Sequence, residues 1–129
     1  MSVTGLEHLL VLTDDIDATR DFWCRALGLE VGERPPLAFP GYWLYAGGVP
    51  CIHVAERSAY TTHSEQVGIP ASREAVDHVA FNGDDYDEMV SRLDLGGVEA
   101  ARNDPPSAGL RQLFIEDPNG VKIEINVKE

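Results

Sequence analysis

Asp117-Pro118-Asn119-Gly120-Val121-Lys122-Ile123-Glu124-Ile125-Asn126 is a turn signal feeding a short apolar strand with one carboxylate in its middle. Pro-Asn-Gly breaks regular structure, and the residues after it read as a strand. Glu124 stands between Ile123 and Ile125. A carboxylate buried in such a strand is costly unless a cation or several hydrogen bonds compensate it. A metal ion is one compensator, and pairing with Lys122 or Arg111 is another. The choice depends on which partners the rest of the chain supplies.

Upstream of this stretch the chain repeats itself. Residues 6–12 (Leu-Glu-His-Leu-Leu-Val-Leu) read as a strand, and Thr13-Asp14-Asp15-Ile16-Asp17 as a helix start with a capping residue at Thr13 or Asp14. Ile16, Trp23, Ala26 and Leu27 follow at helical spacing, and Gly28 is the expected stop. Strands are expected at 29–31, 42–46 and 49–55, with Gly47-Gly48 turning between the last two. Residues 56–75 are polar and show no clear period. A second unit then opens with Val76-Asp77-His78-Val79-Ala80-Phe81. Laying His78 on His8 puts Asp84-Asp85-x-Asp87 on Asp14-Asp15-x-Asp17. Tyr86, Val90 and Leu93 form a second helical stripe ended by Gly96-Gly97, and strands follow at 98–100, 110–115 and in the opening stretch. The expectation is an α+β fold of two tandem β-α-β-β-β units, about 4–56 and about 76–128, joined by a linker at 57–75.

Bulk properties narrow the function classes. A chain of 129 residues fits one domain with a real core. A net charge of −12 argues against nucleic acid and anionic membrane surfaces as partners. No apolar run is long enough to span a bilayer, and no signal peptide is visible at the N-terminus. Two cysteines, Cys24 and Cys51, make no disulfide framework, so a cytoplasmic setting is expected. A small-molecule site is the remaining class.

Each repeat carries one potential metal ligand on its first strand and one on its last: His8 and His53, then His78 and Glu124, at nearly the same interval. All four lie in apolar runs. A lone strand histidine is more often a hydrogen-bonded core residue than a ligand. Four metal-competent residues at matching places in a duplicated unit are hard to obtain by chance. Three imidazoles and a carboxylate suit a divalent ion: Fe2+, Mn2+, Ni2+, Co2+ or Zn2+. His63 falls outside the repeat and is assigned no role. Parity puts Cys51 on the face of His53 and Lys122 on the face of Glu124. The loops at 34–41 and 102–109 are candidate lids.

The paired units, the first-strand histidines and the ending Asp-Pro-x-Gly-x-x-x-Glu resemble the vicinal oxygen chelate superfamily, which includes glyoxalase I, methylmalonyl-CoA epimerase, fosfomycin-resistance enzymes, bleomycin-binding proteins and extradiol dioxygenases. The resemblance covers essentially the whole chain. It implies a cup-shaped mixed sheet around a metal, a homodimer, and a small-molecule substrate whose adjacent oxygens the metal chelates. By position it assigns His8, His78 and Glu124 to the metal triad. It places His53 where glyoxalase I has a glutamate, leaving it as a fourth ligand or an acid/base group beside the metal. His53 and Glu124 are therefore the catalytic candidates.

The implied function is a metal-dependent enzyme of the glyoxalase/extradiol dioxygenase type. The alternatives are a lyase or isomerase, an epoxide-antibiotic resistance enzyme, or a non-catalytic bleomycin-type binding protein. Ring-cleaving relatives usually carry a tyrosine about ten residues before the metal glutamate, where this chain has Phe114. Against antibiotic resistance, Arg102, Arg111 and Lys122 are scattered and form no cationic cluster for a phosphonate.

Overall fold

The computed structural model describes residues 2–104, 109–116 and 122–128; the Asp117–Val121 turn and part of the 102–109 loop lie outside that set. The fold is α+β, as the sequence predicts. Its elements run β1 (Val3–Thr13), α1 (Ile16–Leu27), β2 (Glu30–Gly32), β3 (Gly41–Ala46), β4 (Val49–Glu56), α2 (Arg57–Gln66), β5 (Val76–Gly83), α3 (Tyr86–Leu95), β6 (Ala101–Asn103), β7 (Leu110–Glu116) and β8 (Lys122–Lys128). The eight strands form one mixed sheet in the order β2-β3-β4-β1-β5-β8-β7-β6. The β-α-β-β-β pattern occurs twice, with α2 between the copies. No described helix is long and apolar enough to cross a membrane. The chain divides into two compact units, His8–Asp77 and Met1–Glu7 with His78–Glu129, so the boundary cuts β1.

In the His8–Asp77 unit, β1 and β4 pair in parallel, and β4 pairs antiparallel with β3. The β3–β4 turn uses Gly47 and Gly48 at φ 55° and 81°, the left-handed values a two-residue hairpin turn requires. α1 starts where Asp15 accepts a hydrogen bond from the Ala18 N–H at 3.0 Å. The cap is thus one residue later than Asp14 and two later than Thr13. Gly28, at φ 71°, ends the helix and donates its N–H to the Cys24 carbonyl. One apolar cluster joins Leu44, Ile52 and Val54 to Ile16, Trp23 and Cys24 of α1. A second joins Leu10, Leu12, Phe39 and Ala55 to Tyr60 of α2. Among its residues α2 buries only Tyr60 and Ser64. So few buried positions leave no readable apolar period, which is why the 57–75 segment reads as a linker in the sequence.

In the other unit, β5 and β8 pair in parallel and β7 lies antiparallel beside β8. Tyr86, Met89 and Leu93 of α3 pack on Leu113, Ile125 and Val127. Asp85 caps α3 by accepting from the Glu88 N–H at 3.0 Å, the counterpart of Asp15 in α1. β6 begins at Ala101 rather than at 98. Val98 closes the end of α3, its N–H bonded to the Leu93 carbonyl at 2.9 Å, with Gly97 at φ 67° before it.

Candidate functional site

Odd-numbered residues of β8, Ile125 and Val127, join the apolar cluster under α3. Side chains alternate along a strand, so Glu124 and Asn126 belong to the opposite face. Both are buried, Glu124 at 6% exposure. The Glu124 carboxylate is held from two sides. Its Oε2 accepts from Asn126 Nδ2 at 2.8 Å, and its Oε1 lies 3.6 Å from His78 Nε2. A hydrogen bond between such groups would be about 2.7–3.2 Å. The observed spacing lies nearer the roughly 3.0–3.4 Å separating two donors that each sit about 2.1 Å from one ion. The donor types, a buried imidazole nitrogen and a buried carboxylate oxygen, suit a divalent ion equally well.

Asn126 is itself fixed. Its Nδ2 also donates to Glu7 Oε1 at 2.8 Å, and its Oδ1 accepts from Gln112 Nε2 at 3.0 Å. Gln112 Oε1 in turn accepts from Asn103 Nδ2 at 2.7 Å. A row of three amides thus crosses β6, β7 and β8, in register at Asn103, Gln112 and Asn126. Flipping Asn126 would turn its carbonyl oxygen toward two carboxylates, so the row has one direction. Phe114 stands directly across from Glu124 on β7. Lys122 pairs in register with His78.

The His8–Asp77 unit holds the other two candidates, each about 5% exposed. His8 meets the Trp43 ring edge-on at 4.7 Å, and the His8 and His53 ring centroids are 6.4 Å apart. His53 lies flat on Trp43, with centroids 4.7 Å apart and 14° between planes, and stacks on Phe39 at 5.8 Å. Arg34 Nε donates to His53 Nε2 at 3.4 Å. Arg34 Nη2 donates to the Phe39 carbonyl at 2.6 Å, and the guanidinium sits 5.2 Å from the Phe39 ring centroid. Burial pushes the Arg34 guanidinium below the ordinary arginine value. His63 of α2 lies 5.3 Å from the Phe39 ring. Cys51 packs instead against the Leu44–Ile52–Val54 cluster, next to the irregularity between Leu44 and Tyr45 that breaks simple parity.

His78 and Glu124 are therefore brought together in one unit, and His8 and His53 share the other. Sequence reasoning passed over Arg34, Glu7, Gln112 and Asn126. Asn126 carried a readable signal, two residues after Glu124 on the same strand. Arg34 carried none, since it lies in an irregular loop.

The sequence matches the profile of the Glyoxalase/Bleomycin resistance protein/Dioxygenase superfamily over residues 5–125. The chain belongs to that superfamily. It is 27% identical over 128 residues to the Arabidopsis thaliana protein named Glyoxylase I 4, covering 97% of this chain and 71% of that one. Among solved structures it resembles methylmalonyl-CoA epimerase from Mycobacterium tuberculosis, with a TM-score of 0.75 and 22% identity over 98% of this chain and 89% of that one. It also resembles the Mn(II)-bound glyoxalase from Novosphingobium aromaticivorans, with a TM-score of 0.68 and 19% identity, covering 98% of this chain and 39% of that one. At these identities the two structures show the fold alone.

Proposed function

We propose that this superfamily member is a metal-dependent enzyme acting on a small molecule with two adjacent oxygens. His8, His78 and Glu124 are its metal ligands. The observation that carries the reading is that two of them, His78 and Glu124, are both buried with Nε2 and Oε1 3.6 Å apart, nearer the spacing of two ligands on one ion than that of a hydrogen bond. Chain connectivity supports the set, because His8 directly follows Glu7, which Asn126 ties to the glutamate. A divalent ion there supplies Lewis-acid stabilisation for charge developing on the substrate oxygens. The chain's own residues orient the site. Asn126 holds Oε2 of Glu124 and leaves Oε1 toward His78, while Trp43 and Phe39 sandwich His53. His53 is the acid/base group of the proposal.

Proton transfer at a carbon beside a carbonyl, the lyase or isomerase class, is favoured over ring cleavage. Phe114 stands across from Glu124 and offers no phenol proton there. The Arabidopsis thaliana relative described above carries the name Glyoxylase I 4. The proposal includes a homodimer and a cytoplasmic setting, the latter suited to the free thiols of Cys24 and Cys51.

Solvent-deuterium incorporation into α-hydroxy ketones and thioesters by Mn(II)-loaded protein, run beside oxygen uptake on catechols by Fe(II)-loaded protein, tests the reaction class. Metal-dependent deuterium incorporation without oxygen uptake is expected. Catechol-dependent oxygen uptake would transfer the protein to the dioxygenases. Saturable binding of an unchanged ligand, with neither reaction, would make it a binding protein.

A further inference from the structure

In a chain with twelve more acids than bases, most of the arginines whose contacts are described lie beside an acid. Arg20 contacts Asp17 and Asp21, Arg57 Asp14, Arg92 Glu88, and Arg111 Asp104. Arg34 differs. Half-buried, it has no carboxylate partner among the described residues. Its contacts are the His53 ring, the Phe39 carbonyl and the Phe39 face. These use Nε and one hydrogen of Nη2, and Nη1 has no acceptor among the described residues. A second donor beside His53 is in the same condition. The Nε1–H of Trp43, whose ring is stacked on His53, is buried with no hydrogen-bond partner among the described residues. A buried donor without an acceptor and a half-buried guanidinium without an anion both mark a place for an oxygen-rich negative group. Gly41 keeps the space open, since a Cβ there would lie 3.0 Å from Arg34 Nη2 and collide with the Val54 carbonyl.

We propose that Arg34, with the Trp43 indole N–H, binds a carboxylate of the substrate, so that the natural substrate is an anionic carboxylic acid. The inference rests on the metal-enzyme reading only in taking the other end of that substrate to carry the adjacent oxygens. A planar guanidinium with free N–H groups matches a carboxylate better than a neutral carbonyl, and the negative chain makes a local cation necessary for an anion to settle there.

The test compares malate with its 4-amide, malamate. Both carry the same α-hydroxy carboxylate, and they differ in the distal charge. Binding is measured calorimetrically to wild type, Arg34→Met, Arg34→Lys and Trp43→Phe proteins, each metal-free and Mn(II)-loaded, with folding checked by circular dichroism. Wild type is expected to prefer malate by about tenfold or more, the range for a hydrogen bond to a charged group. Arg34→Met loses that preference, Arg34→Lys keeps part of it, Trp43→Phe weakens malate binding, and Mn(II) content is unchanged in all of them. Retention of the preference in Arg34→Met overturns the inference. Equal binding of the two acids by wild type, or binding of neither, also overturns it. If wild type takes up no Mn(II) but prefers malate through Arg34 when metal-free, the metal reading falls and the carboxylate site stands.

Discussion

Asn126 spends both amide hydrogens on carboxylates, one on Glu124 and one on Glu7, while Gln112 fixes its oxygen. Removing it leaves Glu124 free to rotate. Residues that orient a metal ligand typically change affinity by about 10–100-fold when lost. Asn126→Ala is therefore expected to weaken Mn(II) binding within that range in a protein that still folds, as read by Mn(II) titration. Asn126→Asp should weaken it further in folding and in binding, because three carboxylates would then share one buried place. Unchanged affinity in Asn126→Ala would remove the amide row from the site. At this scale the sequence was legible where a residue breaks its local pattern. His8, His53, His78 and Glu124 stand out because each is a polar residue in an apolar run. Asn126, Gln112 and Arg34 do not stand out, because polar residues near strand ends and in loops are ordinary. Only their hydrogen bonds show what they hold.

At the scale of elements, the two helices of the repeat start alike. Asp15 and Asp85 each accept from the N–H three residues on. Asp15→Ala and Asp85→Ala should each lower stability by about 1 kcal/mol, measured by urea unfolding. Each helix packs over a leucine with no exposed surface, Leu44 for α1 and Leu113 for α3. Truncating either leucine to alanine should cost about 2–5 kcal/mol.

α1 is further tied to β3 by a surface group. Tyr42 donates to Asp17 at 2.6 Å and accepts from Arg20 at 2.8 Å. The bond to Asp17 raises the Tyr42 pKa above the ordinary tyrosine value. The folded state thus holds the phenol proton more tightly than the unfolded chain does. That contribution is complete below the ordinary tyrosine pKa of about 10 and is lost as pH rises through the higher folded value. Ultraviolet titration should show Tyr42 ionising above the ordinary tyrosine value, and Asp17→Asn should bring it back toward that value. The duplicated caps and stripes were readable because helices announce themselves by period and by capping residues. α2 was not, with only Tyr60 and Ser64 buried, and β6 slid by three residues because Val98 closes α3 instead of opening a strand.

For the whole molecule, the repeat in the sequence translates into two β-α-β-β-β patterns in one eight-stranded sheet. A net charge of −12 favours cation uptake and opposes anions, which makes an arginine without a described acid partner informative. If metal binds only the folded chain, saturating Mn(II) should raise unfolding free energy by about 2.7 kcal/mol at a hundred times its dissociation constant. A chelator should reverse that gain, and His78→Ala should abolish it.

The most direct test of the central claim is the metal content of wild type and of the His78→Ala, Glu124→Ala double variant. Both proteins would be prepared without a histidine tag and reconstituted with Mn(II). The account predicts one ion per chain in wild type and none retained by the folded double variant. Full Mn(II) occupancy in the double variant would contradict it, as would a wild type that stays sub-stoichiometric at saturating Mn(II).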